Sequence, residues 1–148
     1  MSELMLQRSP THPGLEELRV SDAMHPGAMT CPLETPLRDV ARMLARYRIH
    51  AVIVFGEDTD DVSGAGLWGV VSDLDLVGAA AAGEVDDRTA GGTAATPALA
   101  ISADDTVARA AQLMSEYEAA HLVVVDERSN RPTGVLSTLD VARVLAGF

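Results

Sequence analysis

The chain contains no lysine, a single cysteine and no apolar run long enough to cross a bilayer, and each absence removes a class of function. Its 11 cationic residues face 22 acidic ones, for a formal net charge of −11. So acidic a surface repels phosphate backbones and anionic headgroups, which argues against nucleic acid or a membrane as the main partner. Any anionic ligand must be held by local donors. Cys31 has no second cysteine for a disulfide, a redox pair or a cysteine zinc site, and is expected as a small apolar filler in a strand. The N-terminus lacks a charged region followed by an apolar core, so a soluble, cytoplasmic protein is expected.

Catalytic chemistry is also missing. No nucleophile sits in a motif with a base, no cluster of metal ligands occurs, and the chain reads as a non-enzyme without metal or cofactor. The acidic run Glu57-Asp58-Thr59-Asp60-Asp61 lacks calcium-loop spacing and reads as a solvated loop.

What is present is a repeat. Gly69-Val70-Val71-Ser72-Asp73-Leu74-Asp75 and Gly134-Val135-Leu136-Ser137-Thr138-Leu139-Asp140 both spell G-x-x-S-x-x-D, each at the end of a short apolar strand and the start of a helical pattern. Upstream, an offset of 70 pairs Leu37 with Val107, Ala41 with Ala111, Tyr47 with Tyr117 and Val54 with Val124. The offset falls to 65 across the Gly/Asp-rich stretch 57–66, as a surface connection tolerates. At 148 residues and 47% hydrophobic, the chain can bury a core, but two such units would be marginal apart and are expected to pack together.

Each unit reads strand, helix, strand, strand, helix. In the first, 28–33 is a strand, Thr35 caps a helix that begins at Pro36, and Leu37, Val40, Ala41, Leu44 and Ala45 form its apolar stripe. Strands at 51–55 and 67–71 and a helix at 74–82 follow. The second unit repeats this with Asp105 as cap, a stripe of Val107, Ala110, Ala111 and Met114, strands at 122–125 and 134–136, and a final helix at 139–145. The fold class is therefore mixed α/β (α+β), with an irregular N-terminal arm at 1–19, repeats at 20–83 and 93–148, and a short acidic linker at 84–92.

Two readings of the Ser-x-x-Asp pairs stand side by side. In the first, Ser72 with Asp75 and Ser137 with Asp140 are capping boxes that satisfy orphan amides. In the second, free amides at the helix start and the Ser hydroxyl seat a phosphate, the Asp accepts from ribose hydroxyls, and Gly69 and Gly134 let a ligand approach the backbone. Trp68 reads as core first and as a base-stacking ring second.

With the Arg48-Ile49-His50-Ala51-Val52-Ile53-Val54 stretch and the duplicated G-x-x-S-x-x-D, the chain resembles a pair of cystathionine-β-synthase (CBS) domains, a Bateman module, from about Val20 onward. The resemblance implies packing through two small sheets, a homodimer, and an adenosine-containing ligand such as AMP, ADP, ATP or S-adenosylmethionine, with or without Mg²⁺, held between the repeats. It would place Ser72 and Ser137 on phosphate, Asp75 and Asp140 on ribose, and Val70, Val135, His50, His121, Ala28, Met29, Ala98 and Leu99 around the ligand. His50 and His121 are motif neighbours and not equivalents, since the offset pairs them with Ala120 and Ala51. At Ile53 and Val123 the chain departs from the family, which often has proline there. The expected function is a stand-alone regulatory module that signals to an effector protein; the alternative is a ligand-free dimerisation scaffold whose boxes are only caps.

Overall fold

A computed structural model describes residues 14–56 and 66–147. The run Glu57 to Asp61 and most of the N-terminal arm lie outside the described residues. The elements are α1 (Val20–Ala23), β1 (His25–Pro26), β2 (Thr30–Pro32), α2 (Leu37–Tyr47), β3 (Ala51–Phe55), β4 (Leu67–Ser72), α3 (Asp73–Ala81), a 3₁₀ turn (Val85–Asp87), α4 (Ala90–Thr93), β5 (Ala100–Ser102), α5 (Val107–Tyr117), β6 (His121–Val125), β7 (Pro132–Ser137) and α6 (Thr138–Ala146).

The strands form two sheets, β2-β3-β4 and β1-β7-β6-β5. Within each, the first long strand pairs in parallel with the one after its helix and the last pair is antiparallel. The two sheets face one another through Ala51, Ile53, Val70 and Val123, with Ala28, Ala98 and Val135 packed at the edges. Central strands buried on both faces explain the unbroken apolar runs Ala51–Phe55 and 122–125. The equivalence is close: residues 41–50 and 111–120 share the same pattern of burial position by position.

Each repeat lends its leading helix to the other. Val20 of α1 is fully buried in the second core with Ile101, Ala110 and Met114, and Ala90 of α4 is fully buried in the first with Leu37, Val40 and Val71. Backbone bonds clasp these exchanges in matching pairs. The Ala90 amide donates to the Thr35 carbonyl and the Val20 amide to that of Asp105, while the Leu37 amide donates to Arg88 and the Val107 amide to Leu18. The segment 84–92 is thus no slack tether: it holds the 3₁₀ turn and the start of α4, and Val85 packs on the first core.

Local details differ from the sequence expectation. Neither Thr35 nor Asp105 caps its helix. Pro36 occupies the N-cap of α2 without a side-chain bond, and the Thr35 carbonyl is taken by the Ala90 amide of α4. Thr106, equivalent to Pro36, caps α5 by accepting from the Arg109 amide at 3.1 Å. Both helices end on left-handed residues, Arg48 at φ 53° and Glu118 at φ 51°, and the next amides, of Ile49 and Ala119, bond back to Leu44 and Met114. Cys31 lies in β2 as expected, and its side chain is buried. Where the family often has proline, Ile53 and Val123 spend their amides on the carbonyls of Met29 and Leu99 at 2.9 and 2.8 Å, so the departure adds a hydrogen bond to each repeat.

Candidate functional site

Both Ser-x-x-Asp pairs are capping boxes. The Ser72 hydroxyl accepts from the Asp75 amide at 3.2 Å, and the Ser72 amide and hydroxyl donate to the Asp75 carboxylate at 2.9 and 3.0 Å. Ser137 and Asp140 repeat this at 3.2, 2.7 and 2.9 Å. These bonds also consume the donors that a phosphate would need. At α3 the Asp73 amide donates to the His50 carbonyl at 3.0 Å, and the Asp75 amide is held by Ser72 at 3.2 Å. The expected seat of free amides is therefore reduced at the first box, because the Ser72 hydroxyl and the neighbouring strand engage the Asp73 and Asp75 amides first.

Gly69 and Gly134 answer to backbone packing and not to a ligand. A Cβ on Gly69 would collide with the carbonyl of Ala95, and one on Gly134 with that of His25. Those carbonyls belong to the segments that cross from the opposite repeat: Ala95 exchanges both backbone bonds with Val70, and β1 pairs with β7 through His25 and Val135. Trp68 is not core either. Its ring is 43% exposed and its indole N–H donates to the Gly91 carbonyl at 3.0 Å, fastening β4 to the exchanged α4.

A cleft of about 230 Å³ opens where the two repeats meet. Val70, Ser72, Leu74 and Asp75 line it from the first repeat; Ala95, Pro97, Ala98, Leu99, Glu118, Ala119, Ala120 and His121 line it from the second. Six residues expected from the sequence come together here: Val70, Ser72, Asp75, Ala98, Leu99 and His121. Leu74, Ala95, Pro97, Glu118, Ala119 and Ala120 were missed, although the turn after α5 could have been found by carrying the Arg48-Ile49-His50 stretch across the offset. Burial pushes the His121 pKa down, against the pull of the Asp73, Asp75 and Asp140 carboxylates, and His50 adds to the depression. At pH 7 the ring is neutral.

The second box is arranged differently. Asp140 is only 1% exposed because His25 lies over it, with Nδ1 3.0 Å from Oδ1 and 3.2 Å from Oδ2, where it makes its hydrogen bond. Arg143 stands 3.9 Å away. Under the offset of 70, His25 is the counterpart of Ala95, whose methyl leaves Asp75 partly exposed to the open cleft. His50 faces its own repeat: its Nδ1 is 2.7 Å from Asp73, and this contact holds the Asp73 carboxyl below the usual range. Ala28 and Val135 pack between the sheets, and the Met29 carbonyl is engaged by Ile53. Among the described residues, no group of three or more His, Cys, Asp or Glu is placed to hold a metal ion, and no helix is long and apolar enough to cross a membrane.

Comparison with known proteins agrees with this architecture. The family model of the CBS domain matches residues 20–82 and 93–147. The CBS domain pair of protein MJ0100 in complex with 5′-methylthioadenosine and S-adenosyl-L-methionine superposes with a TM-score of 0.73 at 21% identity, covering 88% of this chain and 97% of that one. The CBS domain protein PAE2072 from Pyrobaculum aerophilum, complexed with AMP, gives a TM-score of 0.70 at 27% identity over 87% and 98% of the two chains. The CBS domain of the bacterial CNNM/CorC family Mg²⁺ transporter, in complex with ATP, gives 0.70 at 21% over 90% of each. No protein with a curated description matches. Two matched repeats that span most of the chain, in a fold shared with these pairs, make it a member of the CBS domain family.

Proposed function

We propose that the chain is a regulatory module that senses an adenosine-containing ligand in the cleft at Ser72 and Asp75. The observation that carries this reading is the cleft's double lining: one wall comes from each repeat, so a ligand seated there contacts both. Its volume of about 230 Å³ is below the ~300–1,000 Å³ of ordinary ligand pockets. A nucleoside must therefore spread the repeats or stand partly in solvent, and the spreading is what a partner protein in the cytoplasm reads. The neighbours complexed with AMP, ATP, S-adenosylmethionine and methylthioadenosine support the ligand class. The role is regulatory and not catalytic, and it needs no cofactor.

Assembly is part of the same reading. Val77 and Leu145 are 61% and 70% exposed, and Val77 borders an apolar groove with Ala41, Leu44, Ala45 and Leu76. Exposed side chains of this kind on α3 and α6 fit a homodimer built on the helices. Ala110 of α5 is fully buried in the second core and has no part in it.

Isothermal titration with AMP, ATP, S-adenosylmethionine and 5′-methylthioadenosine tests the ligand reading. At least one binds the wild-type chain, and Asp75→Asn abolishes binding while lowering stability by only about 1 kcal/mol, the scale of a cap. Silence across the whole panel returns the chain to the scaffold reading.

A further inference from the structure

We infer that the cleft selects an adenosine derivative without a phosphate, uncharged or cationic at its 5′ substituent, and that Glu118 sets this choice. The inference rests on the adenosine reading and narrows it. The charged groups that line the cleft are two carboxylates, Asp75 and Glu118; among its described lining residues none is arginine. Asp73 stands at the head of the adjoining helix, and its carboxylate acts on His121 together with those of Asp75 and Asp140.

A phosphate needs cations or several free N–H donors; the cleft offers no arginine, and the amides at the start of α3 are largely engaged. Three donors at the start of α3 are spent: the Ser72 amide on Asp75, the Asp73 amide on the His50 carbonyl and the Asp75 amide on the Ser72 hydroxyl. The one titratable cation in the lining, His121, is held neutral by burial. A dianion would meet like charge in a chain already at −11, with no charged cation among the described lining residues to offset its desolvation. Neutral nucleoside hydroxyls lose nothing by this, since carboxylates accept from them. A sulfonium gains.

Glu118 is the member of this set that can be exchanged without disturbing the fold. It occupies a left-handed position at φ 51°, and its counterpart in the first repeat, at φ 53°, is Arg48. The chain itself thus shows that arginine is tolerated in this backbone conformation, and Glu118→Arg places a cation where the cleft now has an anion.

The test is calorimetry on the full chain with 5′-methylthioadenosine and AMP, read as the ratio of their dissociation constants. Wild type binds 5′-methylthioadenosine at least about tenfold more tightly, equivalent to about 1.4 kcal/mol, and added NaCl narrows the gap by screening AMP's repulsion. Glu118→Gln reduces the ratio and Glu118→Arg reverses it. AMP binding as tightly as 5′-methylthioadenosine to wild type overturns the inference and leaves the adenosine reading intact. A ratio unmoved by Glu118→Arg overturns the assignment to Glu118. Binding of neither compound overturns the adenosine reading and this inference with it.

Discussion

His25 lies on the carboxylate of Asp140 across the repeat boundary, its Nδ1 3.0 Å from Oδ1, whereas its counterpart Ala95 leaves Asp75 open to a cleft. Two boxes with the same internal hydrogen bonds are thereby made unequal by one residue outside them. Carbodiimide labelling read by mass spectrometry is expected to modify Asp75 readily and Asp140 slowly in wild type. His25→Ala should bring Asp140 to the rate of Asp75, and should raise the ligand stoichiometry from one to two. Equal labelling of both carboxylates in wild type would contradict the arrangement.

The exchanged helices predict that neither repeat folds alone. A fragment of residues 14–83 lacks Ala90 and leaves Val20 without the second core that buries it, and circular dichroism should show it largely unfolded. In the full chain, Ala90→Asp places an unpaired charge at a fully buried site and should cost about 3–5 kcal/mol in urea unfolding. Gly69→Ala, whose Cβ would strike the Ala95 carbonyl, should cost about 2 kcal/mol by pushing the repeats apart.

Stability should fall in two steps on acidification. The folded pKa of His121 is depressed below its ordinary 6.5, so between the two values the unfolded chain binds more protons than the folded one. Its contribution is complete above 6.5 and is lost as pH falls through the depressed value. Asp73, depressed below 3.8 beside His50, contributes stability above 3.8 that is lost as pH falls through its folded value. Thermal melts from pH 8 to pH 3 should show both steps, and His121→Asn should remove the upper one alone. A melting temperature that rises on acidification below pH 6.5 would contradict the sign.

Val77, 61% exposed at the edge of the α2–α3 groove, lies outside the ligand cleft. If the homodimer uses this face, Val77→Glu and Ala41→Glu should each convert a dimer mass to a monomer mass in light scattering at micromolar concentration. Both variants should keep the wild-type circular dichroism spectrum. A wild-type chain that is monomeric at these concentrations would remove the dimer from the proposed function.

The amino-acid sequence alone determined the repeat, the order of elements in each and the place of the two Ser-x-x-Asp pairs at helix starts. These follow from local rules: apolar spacing, strand composition, and a Ser followed three residues later by an Asp, all read within a few residues of the chain. It could not say that Thr35 would be drawn away from its helix, because the group that claims its carbonyl, the Ala90 amide, lies far along the chain. Nor could it say what Gly69 and Gly134 were for. Close approach requires glycine whether the approaching group is a ligand or a backbone carbonyl, and only the crossing of the repeats showed the latter. The inequality of the boxes likewise belongs to tertiary structure: His25 and Asp140 are 115 residues apart, and no local pattern connects them. Spacing placed the Ser and Asp pairs at their helix starts, but the packing of one repeat against the other decided which pair faces a cleft and which is covered.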